Sequence, residues 1–386
     1  MLDLDKTNWK RVKFADVVNN ANAKSTDPAS DGIDRVIAME HLDPGELAIR
    51  RWGSLDTGTT FTRRVNPRQT LFGKRRAYQR KVAYAEFDAI CSGDILTFEA
   101  IPDKLLPELL PFIVQSDPFF EKAVGTSAGS LSPRTNWRDL AKFEFDLPPL
   151  DGQKRITDLL WAVERHQNAL RDRSEATTFC RAALVESRLS SLGGSLSLAQ
   201  TAEISSGVTL SPKRREMENS APYIRVANVQ RGALDLSEVK EVGATSSEVA
   251  SKGLRQGDVL VVEGHASVEE IGRAAIWDRD DSPLFQNHIF RVRANEGYRP
   301  RFILEWINSA SGRAYIRTVA KSTSGLNTIN STVLKLMPIP DAPLAYQDAL
   351  LEELEALDDS AKREAKDRFA SAALQSSLLS SIFGDS

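Results

Sequence analysis

The chain has 386 residues, 41% hydrophobic and 27% charged, with a net charge of −3. This is the balance of a globular protein of two or three domains, and it excludes a uniformly basic coat for DNA while leaving room for local basic faces. No apolar run is long enough to span a membrane. The acidic opening Met1–Lys6 lacks a signal-peptide core, and Cys91 and Cys180 cannot build a disulfide framework, so the cytoplasm is the expected location.

In chain order, the first distinctive stretch is basic. Arg63, Arg64, Arg68, Lys74, Arg75, Arg76, Arg80 and Lys81 follow one another with no acidic residue between them, and Tyr78 lies among them. Such a bias makes a phosphate-binding surface, against the plainer reading of a solvated loop. SGDILTFE (92–99) has strand character, and LLPFIVQSDPFFEKAV (109–124) reads as a helix interrupted at SDPFF. Pro148-Pro149 stop any regular element. The proline-free segment from Gln153 to Ser191 then places Ile156, Leu159, Leu160, Val163, Gln167 and Leu170 at helical spacing, with Leu184 further along; this predicts a rod of ~58 Å.

The second half repeats the plan. Lys213-Arg214-Arg215 follow Gly207 and Pro212. IRVANVQ, GDVLVVEG, GRAAIWD and NHIFRVRA have strand character, and RFILEWINSASGRAYIRTVA (301–320) reads as helix. Pro338, Pro340 and Pro343 form a second stop. Leu350, Leu354, Leu357, Ala361 and Ala365, with Leu374 beyond, predict a second rod of ~52 Å over Gln347–Ser381. From Asp348 to Arg368 this rod is net negative, which suits a spacer or a protein-facing element and not a surface along DNA.

Internal similarity supports a duplication. FCRAALVESRLSSLGG (Phe179–Gly194) and FASAALQSSLLSSIFG (Phe369–Gly384) are identical at nine of sixteen positions with an offset of 190, and Gln153 aligns with Gln347. SGDILTFE resembles QGDVLVVE (256–263), whereas no counterpart of QNHIFRVR is evident in the first half. Two similar rods imply one kind of partner bound twice, and two dissimilar globular regions imply two different objects recognised. Exposed apolar stripes on both rods call for an antiparallel pair, or for separate partners. The fold expected is α+β: two tandem α/β target-recognition domains with pseudo-two-fold symmetry, separated by two long helices packed as an antiparallel coiled-coil pair. The boundaries are 1–150 and 195–345 for the recognition domains, with helices over 151–194 and 346–386.

These residues carry a family resemblance. Proline stops followed by Gln (LPPLDGQ, IPDAPLAYQ), PYIRVANVQRGALDL (222–236), the GDVL strand, QNHIFRVR and SGLNTINSTVLKLMPIP (324–340) resemble the specificity subunits of type I restriction-modification systems. The resemblance implies a non-catalytic reader of an asymmetric, bipartite double-stranded DNA target, one half per domain, with the helices setting the unread spacer. It implies two modification (methyltransferase) subunits, and through them restriction subunits, as partners. S-adenosylmethionine, ATP and Mg are expected on those partners and none on this chain. The helix-pair and docking candidates are Ile156, Leu160, Val163, Leu170, Leu184, Leu350, Leu354, Leu357 and Leu374. The DNA candidates are Lys74, Arg75, Arg76, Tyr78, Gln79, Arg80 and Lys81 in the first domain, and Lys213, Arg214, Arg215, Asn287 and His288 in the second: cations and amides are what reach phosphates and base edges.

An enzyme would leave other marks. SDPFF (116–120) has one proline where an amine methyltransferase motif needs two, and no Gly-rich cofactor loop or ATP-binding loop precedes it. Asp94 and Glu99, like Asp258 and Glu263, lack the lysine of a nuclease site, and His41, His166, His265 and His288 are scattered. No catalytic or metal-binding residue is expected. A stand-alone DNA-binding regulator and an enzyme with an unfamiliar site are the competing readings.

Overall fold

The computed structural model describes residues 5–323 and 325–384. Residues 1–4, and Ser324 at the start of one segment quoted above, lie outside the described residues. The chain forms two compact units, Met1–Asp172 with Ala365–Ser386, and Arg173–Glu364.

Each unit is built on the same four-stranded antiparallel sheet. In the first the spatial order is Val18–Asn20, Ile95–Ala100, Thr70–Gly73, Val82–Tyr84; in the second it is Ala202–Ser206, Ile289–Ala294, Val259–Val262, Ala274–Ile276. A second sheet in each, of four strands in the first unit and three in the second, contains one parallel pair, Arg35–Ile37 with Ala89–Cys91 and Ser220–Ile224 with Leu284–Phe285. A short antiparallel pair closes each unit before its long helix: Lys10–Lys13 with Glu144–Leu147, and Ser195–Ser197 with Pro338–Pro340.

This topology corrects the repeat alignment. SGDILTFE does not correspond to QGDVLVVE. The Ile95–Ala100 strand holds the sheet position of Ile289–Ala294, so it is the counterpart of NHIFRVRA, and Thr70–Gly73 is the counterpart of Val259–Val262. The physical reason lies in burial. The central strands are covered on both faces, so they read as unbroken apolar runs that resemble one another. In the first unit Phe72 and Phe98 face one core with Phe14, Phe112 and Phe119, while Leu71 and Ile95 face another with Ile37, Leu42 and Cys91. The Gly-Asp step before each strand also does different work. Asp258 is buried and takes both arms of the Arg293 guanidinium at 2.7 Å, whereas Asp94 lies nearer the surface beside Arg134.

The helical segments break where SDPFF predicted. Leu110–Gln115 ends at Ser116, whose extended backbone (φ −65°, ψ 149°) starts Asp117–Gly125; Ser309 (φ −62°, ψ 165°) divides Pro300–Asn308 from Ala310–Val319 in the same way. Gly207 is required by crowding, since a Cβ there would sit 1.9 Å from the Phe285 carbonyl oxygen.

The long helices are Leu150–Ser190 and Leu344–Phe383, and they pack as an antiparallel pair. In the first unit Ile156, Leu160 and Val163 share a core with Leu378, Ile382 and Phe383; in the second Val185 and Leu189 share one with Leu350 and Leu354. Leu170 is buried, and Leu184 and Leu357 are half-buried. Leu374, expected in the seam, is 52% exposed. Toward the middle of the helices the seam is polar, which explains why apolar spacing misplaced it. Gln167 donates to the Ser371 carbonyl and Gln375 to Glu164 in the first unit; Thr177 donates to Glu364 and Arg181 to Asp358 at 2.5 Å in the second.

Each helix is tied to its unit by one buried glutamine. Gln153 Nε2 donates to the Lys104 and Pro148 carbonyls, and its Oε1 accepts the Leu106 amide at 2.9 Å. Gln347 does the same with the Gly297 and Ala342 carbonyls and the Arg299 amide at 2.7 Å. Each side chain satisfies three backbone groups, one of them (the Pro148 or Ala342 carbonyl) through a fully buried bond.

Candidate nucleic-acid interface

The basic run folds as a hairpin, Thr70–Gly73 to Val82–Tyr84, with a one-turn helix Ala77–Gln79 at its tip. Arg76 and Arg80 bracket that turn with left-handed backbone (φ 54° and 55°). Backbone bonds zip the hairpin to two other loops: the Lys74 amide to the Asp94 carbonyl at 2.9 Å, the Arg76 amide to the Pro133 carbonyl at 2.7 Å, and the Thr135 amide to the Lys74 carbonyl at 3.1 Å.

The uninterrupted positive charge seen along the chain does not survive folding intact. Arg64 meets Asp88, Arg68 meets Glu108, and Arg80 meets Asp117, each carboxylate arriving from a distant position. Arg80 also donates to the Gln115 carbonyl and lies over the Phe120 ring, and Lys81 donates to the Met39 carbonyl. These two of the seven candidates hold the hairpin in place. Tyr78 is 58% exposed, and the side chains of Lys74, Arg76 and Gln79 have no hydrogen bond or ion pair among the described residues.

What remains is a focused cationic patch. Arg75, Arg134 and Lys74 surround the single carboxylate of Asp94. Arg134 reaches it at 2.8 Å and Arg75 at 3.6 Å, and Arg75 also donates to Ser132 Oγ. The Arg134 hydrogen bond holds the Asp94 carboxyl below its ordinary pKa. Burial, and then the nearby Arg63 guanidinium, pull the Lys74 ammonium below its own. One carboxylate cannot neutralise these cations, so the patch is poised for an external anion. Arg134 was not among the sequence candidates. It lies far along the chain from the hairpin, and the Arg75–Arg134 bridge with the flanking Pro133 and Thr135 backbone bonds brings it there.

The second unit is different at the matching place. There the hairpin strand is Gly264–His265, paired with Leu326–Thr328 as Arg75 pairs with Arg134, and the residues around it include Glu263, Glu269 and Glu270. His288 Nδ1 lies 2.6 Å from Glu263 Oε2, and the adjoining Asn287 amide donates to the Val208 carbonyl. Lys213 and Arg215 are exposed and without a protein partner among the described residues. Arg214 is held by Glu248 at 2.5 Å and by the Thr209 and Gly243 carbonyls, so it braces the loop.

That brace sets a pH dependence. The Arg214 hydrogen bond, with the Thr245 amide, lowers the Glu248 carboxyl from 4.5 to about 2. A folded-state pKa below the unfolded one contributes stability above about pH 4.5, and that stability is lost as pH falls toward 2. Glu248→Gln should therefore lower the melting temperature at neutral pH, change it little near pH 2, and so flatten the acid limb of the profile. Parallel acid limbs for the two proteins would contradict this.

Among the described residues no cluster of His, Cys, Asp or Glu could hold a metal, and no helix is long and apolar enough to cross a membrane.

Comparison with known proteins fits this architecture. Residues 6–177 match the family model of the type I restriction modification DNA specificity domain. The chain is 24% identical over 150 residues to the EcoKI specificity subunit of Escherichia coli K12, covering 38% of this chain and 32% of that one. It is 26% identical over 141 residues to the StySPI specificity subunit of Salmonella potsdam, covering 36% and 30%. The aligned stretches thus span about a third of these relatives' own lengths. Among solved structures, a chain from work on complex assembly and conformational transition of the type I system matches with a TM-score of 0.61 at 16% identity over 96% of both chains. The type I system S subunit from M. genitalium matches with a TM-score of 0.55 at 13% identity over 100% and 99%. The chain shares its duplicated fold with these two solved structures. Residues 6–177 are thus similar to the type I restriction modification DNA specificity domain, and short stretches of the chain are similar to two specificity subunits.

Proposed function

We propose that the chain reads an asymmetric, two-part DNA target, one half with each recognition region (1–150 and 195–345), and recruits adenine-methylating modification subunits through its helices (151–194 and 346–386). Restriction subunits join through the modification subunits. The chain contributes no chemistry of its own, and S-adenosylmethionine, ATP and Mg belong to the partners. A cytoplasmic location goes with this role.

One observation carries the reading: two units of one topology differ in charge at the same hairpin, while their helices repeat. Lys74, Arg75 and Arg134 stand in the first unit where Glu263, Gly264 and Thr328 stand in the second. Different surfaces on one scaffold are what two unlike half-sites require. The repeat on the helices keeps a matched pair of exposed aromatics, Phe179 at 74% and Phe369 at 79%. A large apolar side chain left in water at the same place in both copies supports a protein partner bound twice.

The test is co-expression with a candidate modification subunit, purification, and sequencing of methylated sites. A split target with two unlike halves is expected. Phe179→Ala and Phe369→Ala should each weaken capture of the modification subunit by about tenfold, a cost typical of an anchor aromatic, without changing the sequence methylated. A continuous palindromic target, or full capture by the double variant, would defeat the respective part of the reading.

A further inference from the structure

Each unit has its own corner where a long helix meets the break between the two shorter helices and a tight glycine turn. In the first unit this corner is closed. Asp117 begins the helix after Ser116 and binds Arg80 at 2.6 Å, and the Arg80 guanidinium covers Phe120 at 4.4 Å. The turn at Gly45 and helix residues Ala372 and Gln375 complete a space of only about 130 Å³.

In the second unit the equivalent turn is at Gly232, and the equivalent helix residues are Ala182 and Val185, at the repeat offset of 190. Counting from the break at Ser309, Ala310 replaces Asp117 and Arg313 replaces Phe120. The corner is an open cavity of about 1000 Å³. Arg231, carried into it by the glycine turn (φ +76° at Gly232), donates only to neutral acceptors, the Glu269 carbonyl at 2.6 Å and Asn308 Oδ1 at 3.4 Å. The Arg313 side chain makes no hydrogen bond or ion pair among the described residues, and its Nε is shielded from water without a partner. Burial and then the charge of Arg313 pull the Arg231 guanidinium below its ordinary pKa. The acids in the wall are already engaged: Asp358 and Glu305 by Arg181, Glu186 by Ser311, and Asp278 by Gln256. Glu355 is exposed at the rim.

Glu270 and Glu269 lie near enough to act on Arg231, but they pair with Arg273 and Arg317. Two guanidiniums side by side with no carboxylate bonded to either leave the site one anion short. We propose that this cavity receives a carboxylate side chain, an aspartate or glutamate of a partner protein, between Arg231 and Arg313, where the first unit seats its own Asp117. A carboxylate is favoured over a DNA phosphate by the surroundings. The C-terminal helix beside the cavity carries Glu352, Glu353, Glu355, Asp358 and Asp359, which repel a polyanionic duplex far more than one side chain. The inference stands apart from the DNA reading and survives if that reading fails.

The test uses the full chain, with tetraglutamate as probe, tetraglutamine as control, and fixed ionic strength. Tetraglutamate should raise the wild-type melting temperature by about 2–4 °C and leave R313Q and A310D unmoved. Without peptide, A310D should raise the melting temperature in the wild-type background and less in the R313Q background, which separates pairing with Arg313 from a general helix-start effect. R313Q alone should not melt below wild type, because it removes an unpaired charge. Equal peptide shifts in all three proteins, no shift in wild type, or a lower melting temperature for R313Q would overturn the proposal. So would stabilisation by a short duplex DNA that R313Q abolishes, since the occupant would then be a phosphate.

Discussion

Replacing Lys74, Arg75 and Arg134 together with glutamine is expected to weaken duplex binding by the chain assembled with the proposed modification subunit, and to flatten its salt dependence. Each phosphate left without its cation takes about 0.9 from the slope of log affinity against log salt, so three such phosphates amount to nearly three. These residues are chosen because they surround one carboxylate, Asp94, and carry charge in excess of it. Arg80→Gln is the informative contrast. Its guanidinium is committed to Asp117 and the Gln115 carbonyl, so it should lower the melting temperature and leave the slope nearly unchanged. Anisotropy titrations on a labelled duplex at several salt concentrations distinguish the two. An unchanged slope in the triple variant would remove the hairpin from the interface.

The second large effect concerns stability. Gln153→Met or Gln347→Met keeps side-chain volume but leaves two carbonyls and one amide without partners beside a buried apolar group. One of the three bonds is buried and two are part-buried, so at about 1–3 kcal/mol for a buried group left unsatisfied and less for the others, a loss of ~3 kcal/mol is expected. For a unit of this size that lowers the melting temperature by roughly 6–12 °C. Calorimetry of the full chain measures it. A fall of only a degree or two in both variants would mean water replaces the amide and the glutamines are not clasps.

Part of this molecule was legible along the chain. The 190-residue offset, the proline stops, both long helices and the paired glutamines were readable because helix spacing and chain-breaking residues act locally. The break at SDPFF was readable for the same reason. The strand correspondence was not. Strands buried on both faces lose the alternation that would distinguish them, so GDVL and GDIL looked equivalent although they occupy different places in their sheets. Leu374 was misplaced because the seam near it is polar, a choice made by the opposite helix.

The sequence alone determined that one module occurs twice and that its long helices carry the stronger resemblance. Which cations are free was decided by the tertiary structure. Along the chain Arg64, Arg68, Arg75 and Arg80 are alike, but folding delivers Asp88, Glu108 and Asp117 to three of them and gathers Arg134 beside the fourth. Charge balance is a property of distances in space, and Coulomb pairing falls off within a few ångströms whatever the separation along the chain.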